Sequence, residues 1–342
     1  MVPPPGSSRM PSFAKLSEKL GNKSNSNDFQ NDKGVSRETG RDVISEVDGD
    51  SPIGRELADE TRRREKLRGR KLVKPDHTRI LTVANQKGGV GKTTTTVNIA
   101  AALALAGLVV LVVDIDPQGN ASTALGITHH AEVESIYDVL INDAPLVDVV
   151  APCPDIEGLL CAPATIHLAG AEIELVSLVA REQRLRKALE KYAEDREQKG
   201  LPRLDYILID CPPSLGLLTV NAFCAANEVM IPIQCEYYAL EGLSQLLNNI
   251  SMIQKHLNSD LEVSTILLTM YDGRTNLASQ VADDVREHFP EKVLSTVIPR
   301  SVRISEAPSY QQSILTYDPS SSGALSYLEA AAELAGRRAL NR

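Results

Sequence analysis

The segment from Arg79 to Gly119, RILTVANQKGGVGKTTTTVNIAAALALAGLVVLVVDIDPQG, restricts this chain to a narrow set of folds. An apolar run (Ile80, Leu81, Val83, Ala84) stops at a glycine-rich turn. An alanine-rich helical pattern opens from that turn, and a second apolar run follows from Leu108 to Val113. The order is strand, loop, helix, strand. Gly88, Gly89 and Gly91 carry no side chains, so successive backbone N–H groups can curl around an oxyanion at the positive end of the helix. Lys92 then reaches between β- and γ-phosphates, and the Thr93 hydroxyl takes a Mg²⁺ coordination position.

The common phosphate-loop pattern GxxxxGK[ST] needs glycine where this chain has Gln86, and a second lysine, Lys87, stands just before the double glycine. The form KGGVGKTT resembles the deviant Walker A motif of the ParA/MinD/nitrogenase-iron-protein class. In that class the extra lysine contacts the nucleotide of the opposite subunit in an ATP-bound dimer.

Downstream, Asp114 and Asp116 close the second strand and are followed by Pro117-Gln118-Gly119-Asn120. Ligands of open α/β sheets gather at the carboxyl ends of strands, so both acids are expected to face the phosphate loop. Residues 135–141 read as a short helix and 156–163 as a buried strand. One long charged amphipathic helix is expected over about 169–199, ending at Gly200-Leu201-Pro202. The apolar strand from Leu204 ends at Asp210-Cys211-Pro212-Pro213, a Walker B arrangement in which Asp210 holds a water on Mg²⁺. Strands at 228–233, 262–270 and 293–298 alternate with helices at 239–257 and 277–288, and a last helix covers about 323–339. This alternation predicts an α/β P-loop fold, a mostly parallel sheet with helices on both faces.

Composition narrows the class further. Apolar residues make up 42% of the chain, enough for a sizeable core, and aliphatics carry it because there is no Trp and only four Phe. No apolar run approaches the roughly 20 residues that span a bilayer, and the N-terminus lacks a signal peptide's apolar centre. A cytoplasmic protein without a membrane partner is therefore expected. Cys153, Cys161, Cys211, Cys224 and Cys235 form no CxxC pair and read as reduced, packed thiols. The net charge of −9 is uneven: residues 1–79 hold 17 basic and 13 acidic side chains, the remainder 19 and 32. Any nucleic-acid contact by the folded part must then be a local patch.

Residues 1–77 read as a disordered tail, rich in Pro, Gly, Ser, Asn and charge, with a basic run at 62–74 (RRREKLRGRKLVK) that serves either as a solvated linker or as an electrostatic arm. Residues 78–342 form the expected ATPase domain. Four of its segments, KGGVGKTTTTVNIA, VDIDPQGNAS, YILIDCPPSLG and LLTMYDGRTNL…VIPRSVRISEAPSY, resemble the ParA/Soj-type chromosome or plasmid partition ATPases.

That resemblance implies roles residue by residue. The backbone of Gly88, Gly89, Val90, Gly91, Lys92, Thr93 and Thr94 binds the triphosphate of ATP, while Thr93 and Asp210 hold Mg²⁺. Asp116 orients the attacking water, and Lys87 neutralises transition-state charge from across the dimer. Pro299 and Ser301 lie against the adenine, at a place where the family usually carries Asn instead of Ser301. Arg274, Arg300 and Arg303 contact DNA phosphates, without sequence preference and with a generic Kd on the order of 10⁻⁴–10⁻⁶ M. The implied protein is a nucleoid-associated, ATP-dependent homodimer on double-stranded DNA, stimulated by a ParB-like centromere-binding partner. Two readings compete with it: a positioning ATPase of the same fold acting on a membrane or protein cargo, and a metabolic synthetase on a related fold.

Overall fold

A strand such as Tyr206–Asp210, with all five residues buried, needs cover on both faces, and the chain supplies it. The computed structural model describes residues 52–67, 72–237 and 239–337. The longer helices are α1 (Pro52–Leu67), α2 (Lys92–Leu105), α3 (Leu168–Leu175), α4 (Arg184–Gln198), α5 (Leu217–Ala225), α6 (Ala239–His256), α7 (Asn276–His288) and α8 (Ser322–Gly336). The strands are β1 (Arg79–Val83), β2 (Val110–Asp114), β3 (Ala151–Pro152), β4 (Leu159–Ala162), β5 (Tyr206–Asp210), β6 (Glu228–Gln234), β7 (Glu262–Tyr271) and β8 (Val293–Pro299). They form one sheet in the order β3-β4-β2-β5-β1-β6-β7-β8, in which only the β3–β4 pair is antiparallel.

Alternation along each strand divides the core in two. Leu81 and Val83 of β1, Val110 and Val112 of β2 and Leu208 of β5 pack with α2 and α8 on one face. Leu111 and Val113 of β2 and Ile207 and Ile209 of β5 pack with α3 to α7 on the other. The C-terminal helix buries Ala324, Tyr327, Ala330, Ala331 and Leu334 in this way, so its apolar stripe is spent on packing. Among the described residues no helix is long and apolar enough to cross a membrane. All five cysteines are buried and unpaired.

The expected mostly parallel sheet and its helical cover are present, with four differences from the sequence reading. The helix expected over 169–199 is two helices, α3 and α4. The break contains Ala180 at φ 50° and is gripped from α5, where the Asn221 side chain donates to the Arg181 carbonyl at 2.8 Å and accepts from the Leu185 amide at 3.3 Å. No local breaker announces it; the partner is 40 residues away.

Helix α5 itself follows the Asp210 loop, a stretch for which no element was expected. The two-residue strand β3 was also missed, because two residues carry no periodicity.

Finally, residues 52–67, read as part of the tail, form helix α1, and the compact unit begins at Pro52. Arg63 pairs with Glu329 of α8 at 2.6 Å and donates to Ser326 at 3.1 Å, a tertiary anchor invisible to a reading of apolar content. The Arg62–Asp59 and Arg64–Glu60 pairs add local support. Residues 1–51 and residues 68–71 of the basic run lie outside the described residues.

Candidate nucleotide site

Register builds the site. In the parallel sheet Val83 pairs with Asp210 and Asp114 with Asp210, so the carboxyl ends of β1, β5 and β2 meet where the glycine-rich loop leaves β1. Gly91 caps α2 at φ 87° and Gly89 stands at φ 73°, both left-handed values that a side chain would strain. A Cβ at Gly88 or Gly89 would meet nothing within 4 Å, so the loop encloses open space. Such a loop at the N-terminus of a 14-residue helix suits an anion.

Around it the side chains converge. Lys92 is buried, and its Nζ lies 3.3 Å from the Lys87 carbonyl. Burial lowers its pKa, and the negative charge of Asp210 opposes that effect. The Thr93 hydroxyl donates to Asp210 Oδ2 at 2.7 Å, and the Thr96 hydroxyl to Oδ1 at 3.0 Å. Burial and then the nearby Asp114 raise the pKa of Asp210, against both hydroxyls. The Asp210 carboxylate beside the Thr93 hydroxyl offers hard oxygen donors of the kind that suit Mg²⁺.

Asp116 is buried beside this cluster and accepts from the Gln118 amide at 3.0 Å. Asp114 is fully buried and turned the other way. It accepts from the Ser122 amide at 2.9 Å, the Ser122 hydroxyl at 2.7 Å and the Asp116 amide at 3.2 Å, so its part is to hold the 114–122 turn. The Ser122 oxygen also accepts from the Ala164 amide at 3.1 Å. Ser122→Ala is therefore expected to lower stability by about 1–3 kcal/mol, because it strands buried polar groups; urea unfolding measures it.

Lys87 is half-exposed and pairs with Glu236 at 2.5 Å, while its amide donates to Asn85 Oδ1. On the other side of the loop, Gly91, Thr94, Met270, Pro299, Arg300 and Ser301 line a cavity of 330 Å³, which brings the two expected adenine neighbours beside the phosphate loop. Thr269 secures that side, its hydroxyl donating to the Val90 carbonyl at 2.8 Å, and Met270 takes an unusual positive φ of 49°.

The expected DNA-contacting arginines sit around the ends of β7 and β8. Arg274 chelates Asp272, whose carboxyl it holds well below the usual range, down to about 2. The exposed Arg300 also lowers that pKa, and its amide donates to the Tyr271 carbonyl. Arg303 lies 3.5 Å from Glu306 and 3.7 Å from Asp318. The acids beside Arg274 and Arg303 offset much of their charge.

Sequence reasoning missed Ser122, Glu236, Thr269 and Met270. Glu236 alone carried a signal, an acid two residues past the carboxyl end of β6.

Residues 78–263 match the family model described as an AAA domain. The chain is 55% identical over 257 residues to the sporulation initiation inhibitor protein Soj of Bacillus subtilis (strain 168), covering 75% of this chain and 98% of that protein. It is 50% identical over 259 residues to the chromosome partitioning protein ParA of Myxococcus xanthus (strain DK1622), covering 76% and 88%. The chain belongs to the ParA/Soj family of chromosome-partitioning ATPases.

A solved structure named cobyrinic acid a,c-diamide synthase from Mycobacterium smegmatis, with bound ADP and magnesium, is 40% identical. It superposes with a TM-score of 0.62 over 74% of this chain and 92% of that one. Helix α1 precedes the matched family region, which starts at residue 78.

Proposed function

We propose that this chain is an ATP- and Mg²⁺-dependent switch for chromosome or plasmid segregation. ATP closes two copies face to face, the closed pair binds double-stranded DNA without sequence preference, and a ParB-like centromere-binding partner triggers hydrolysis and release in the nucleoid. The observation that carries the reading is the convergence of Lys92, Thr93, Asp116 and Asp210 on one strand edge, with a second lysine, Lys87, half-exposed at its rim.

In this reading the loop amides and Lys92 hold the phosphates, and Thr93 and Asp210 hold Mg²⁺. Asp116 orients the attacking water. Pro299 and Ser301 bound the adenine side, and Arg274, Arg300 and Arg303 meet phosphates once DNA displaces their acidic neighbours. A γ-phosphate held between subunits makes pairing and DNA affinity depend on the same group.

The decisive experiment is DNA binding with ATP, ADP and no nucleotide across a salt series. Binding that requires ATP and weakens steeply with salt is expected; equal binding without nucleotide would refute the switch. Asp116→Ala is expected to bind ATP yet lose hydrolysis by about 10²-fold or more, and so to accumulate on DNA. Wild-type phosphate release from that variant would remove Asp116 from its role.

The synthase named for the 40%-identical structure keeps a metabolic reading in view. Against it, a synthetase of the amidotransferase type needs an accessible nucleophilic cysteine, and all five cysteines here are buried, which pushes every thiol pKa upward. ATP-dependent binding to lipid vesicles without DNA binding would favour the positioning alternative.

A further inference from the structure

Asp116 stands on a tight turn that is braced from outside by His129. Gly119 closes the turn at φ 62°, its amide donates to the Asp116 carbonyl at 2.9 Å, and it caps the short helix Asn120–Ala124. Because the Gln118 amide within the turn donates to the Asp116 carboxylate, the direction of that carboxylate follows the conformation of the turn.

His129 lies directly against Gly119. A Cβ there would fall 2.8 Å from His129 Nδ1 and 2.9 Å from Cε1, so the imidazole fills the space that a side chain at 119 would need. The other ring nitrogen, Nε2, is 2.9 Å from the Thr123 hydroxyl. A hydroxyl has one hydrogen to give, and that of Thr123 goes to the Gly119 carbonyl at 3.0 Å. Toward His129 the hydroxyl therefore accepts, and Nε2 is the protonated, donating nitrogen. The bonds run in one direction, from His129 to Thr123, from Thr123 to Gly119 and from Gly119 to Asp116, an arrangement in which each bond polarises the next.

The brace is itself fastened. Ile127 is buried and its amide donates to the Ser122 carbonyl at 3.0 Å, while His167 Nε2 donates to the Ala131 carbonyl at 3.0 Å, so the backbone is held on both sides of His129. On its inner side the turn faces the phosphate loop: Asn120 and Thr123 line a cavity of 260 Å³ together with Thr93 and Thr94.

We infer that His129 is a positioning residue for hydrolysis, holding Asp116 in place through Thr123 and Gly119. The inference rests on the role proposed for Asp116 and names the side chain that sets its geometry. A group that orients an attacking water loses about 10²-fold in rate for a displacement near 1 Å. Lys92 and the amides of the glycine-rich loop lie outside this relay, so ATP binding does not depend on it.

The test is a double-mutant cycle in the full chain, with His129→Ala, Asp116→Ala and the two combined. Phosphate release at saturating ATP gives kcat, a fluorescent ATP analogue gives binding, and thermal unfolding shows that each variant is folded at the assay temperature. His129→Ala is expected to lower kcat by about 10-fold or more and to leave the dissociation constant of the analogue within about twofold. The combined variant should be no slower than Asp116→Ala, because a residue that acts through another adds nothing once that other is gone. His129→Gln, whose amide nitrogen can still donate to Thr123, should recover most of the rate.

A wild-type kcat in His129→Ala overturns the inference. So does a combined variant slower than Asp116→Ala, which would make His129 a general support of the fold, and so does a Gln variant as slow as the Ala variant. A wild-type kcat in Asp116→Ala overturns the functional reading first and this inference with it. If His129→Ala is unfolded at the assay temperature, Thr123→Val breaks the same relay without opening the space beside Gly119, and the cycle is repeated with the same outcomes.

Discussion

Replacing Lys87 with alanine is expected to lower ATP hydrolysis by about 10³–10⁵-fold, the worth of a cationic finger supplied in trans. The two lysines of the loop are placed for different work. Lys92 is buried with its ammonium against the Lys87 carbonyl, inside its own phosphate loop. Lys87 is 41% exposed and held at the rim by Glu236, an ion pair worth little at such exposure and so readily exchanged for another anion. Lys87→Ala therefore leaves the glycine-rich backbone, Lys92 and Thr93 in place, and binding of ATP by the monomer should persist. Phosphate release at saturating ATP is the measurement; a rate within about threefold of wild type would show that Lys87 contributes no finger. Glu236→Gln serves as the companion, since it frees the lysine without removing it and should retain turnover.

The largest expected effect on stability is at the opposite end of the same strand. Arg79 opens β1, and its guanidinium makes two 2.7 Å bonds to Glu228 of β6. It also donates to the Leu334 carbonyl at 2.9 Å, at the end of α8, and stacks 5.3 Å from the Tyr206 ring centroid. Both charged partners are nearly sealed from water. Arg79→Met strands the Glu228 carboxylate and frees the end of α8, and should cost about 3–5 kcal/mol. For a unit of this size that lowers the melting temperature by on the order of 10 °C. Adding Glu228→Gln should recover part of the loss, because the uncompensated charge, more than the missing contact, is the penalty. Thermal unfolding of the two variants separates these contributions; no recovery in the pair would mean that the α8 anchor dominates.

How far the residues alone carried the reading differs from element to element. β1, β2 and β5 were legible because each is a short apolar run ending in a polar turn, and being buried on both faces leaves such strands little alternative. That Lys92, Thr93 and Asp210 meet at one strand edge was legible because a glycine-rich turn after β1 and an acid ending β5 fall at the same end of a parallel sheet. Ser122 and Met270 were not, since a serine in a helical turn and a methionine ending a strand have many ordinary uses. Their significance lies in contacts with Asp114 and with the cavity beside Gly91. The α3–α4 break was illegible for the same reason: an Asn on another helix holds it.

Local chemistry along the chain thus decided the class of fold, the phosphate loop, the strand-end acids and the family resemblance, because apolar period, glycine conformation and ligand type are properties of neighbouring residues. The tertiary structure alone decided that Asp114 turns toward Ser122 while Asp116 stays at the edge, that Lys87 rests on Glu236, and that residues 52–67 dock through Arg63. Each of these depends on which distant side chain completes a hydrogen bond or covers a surface, and that is set by how the sheet orders its strands.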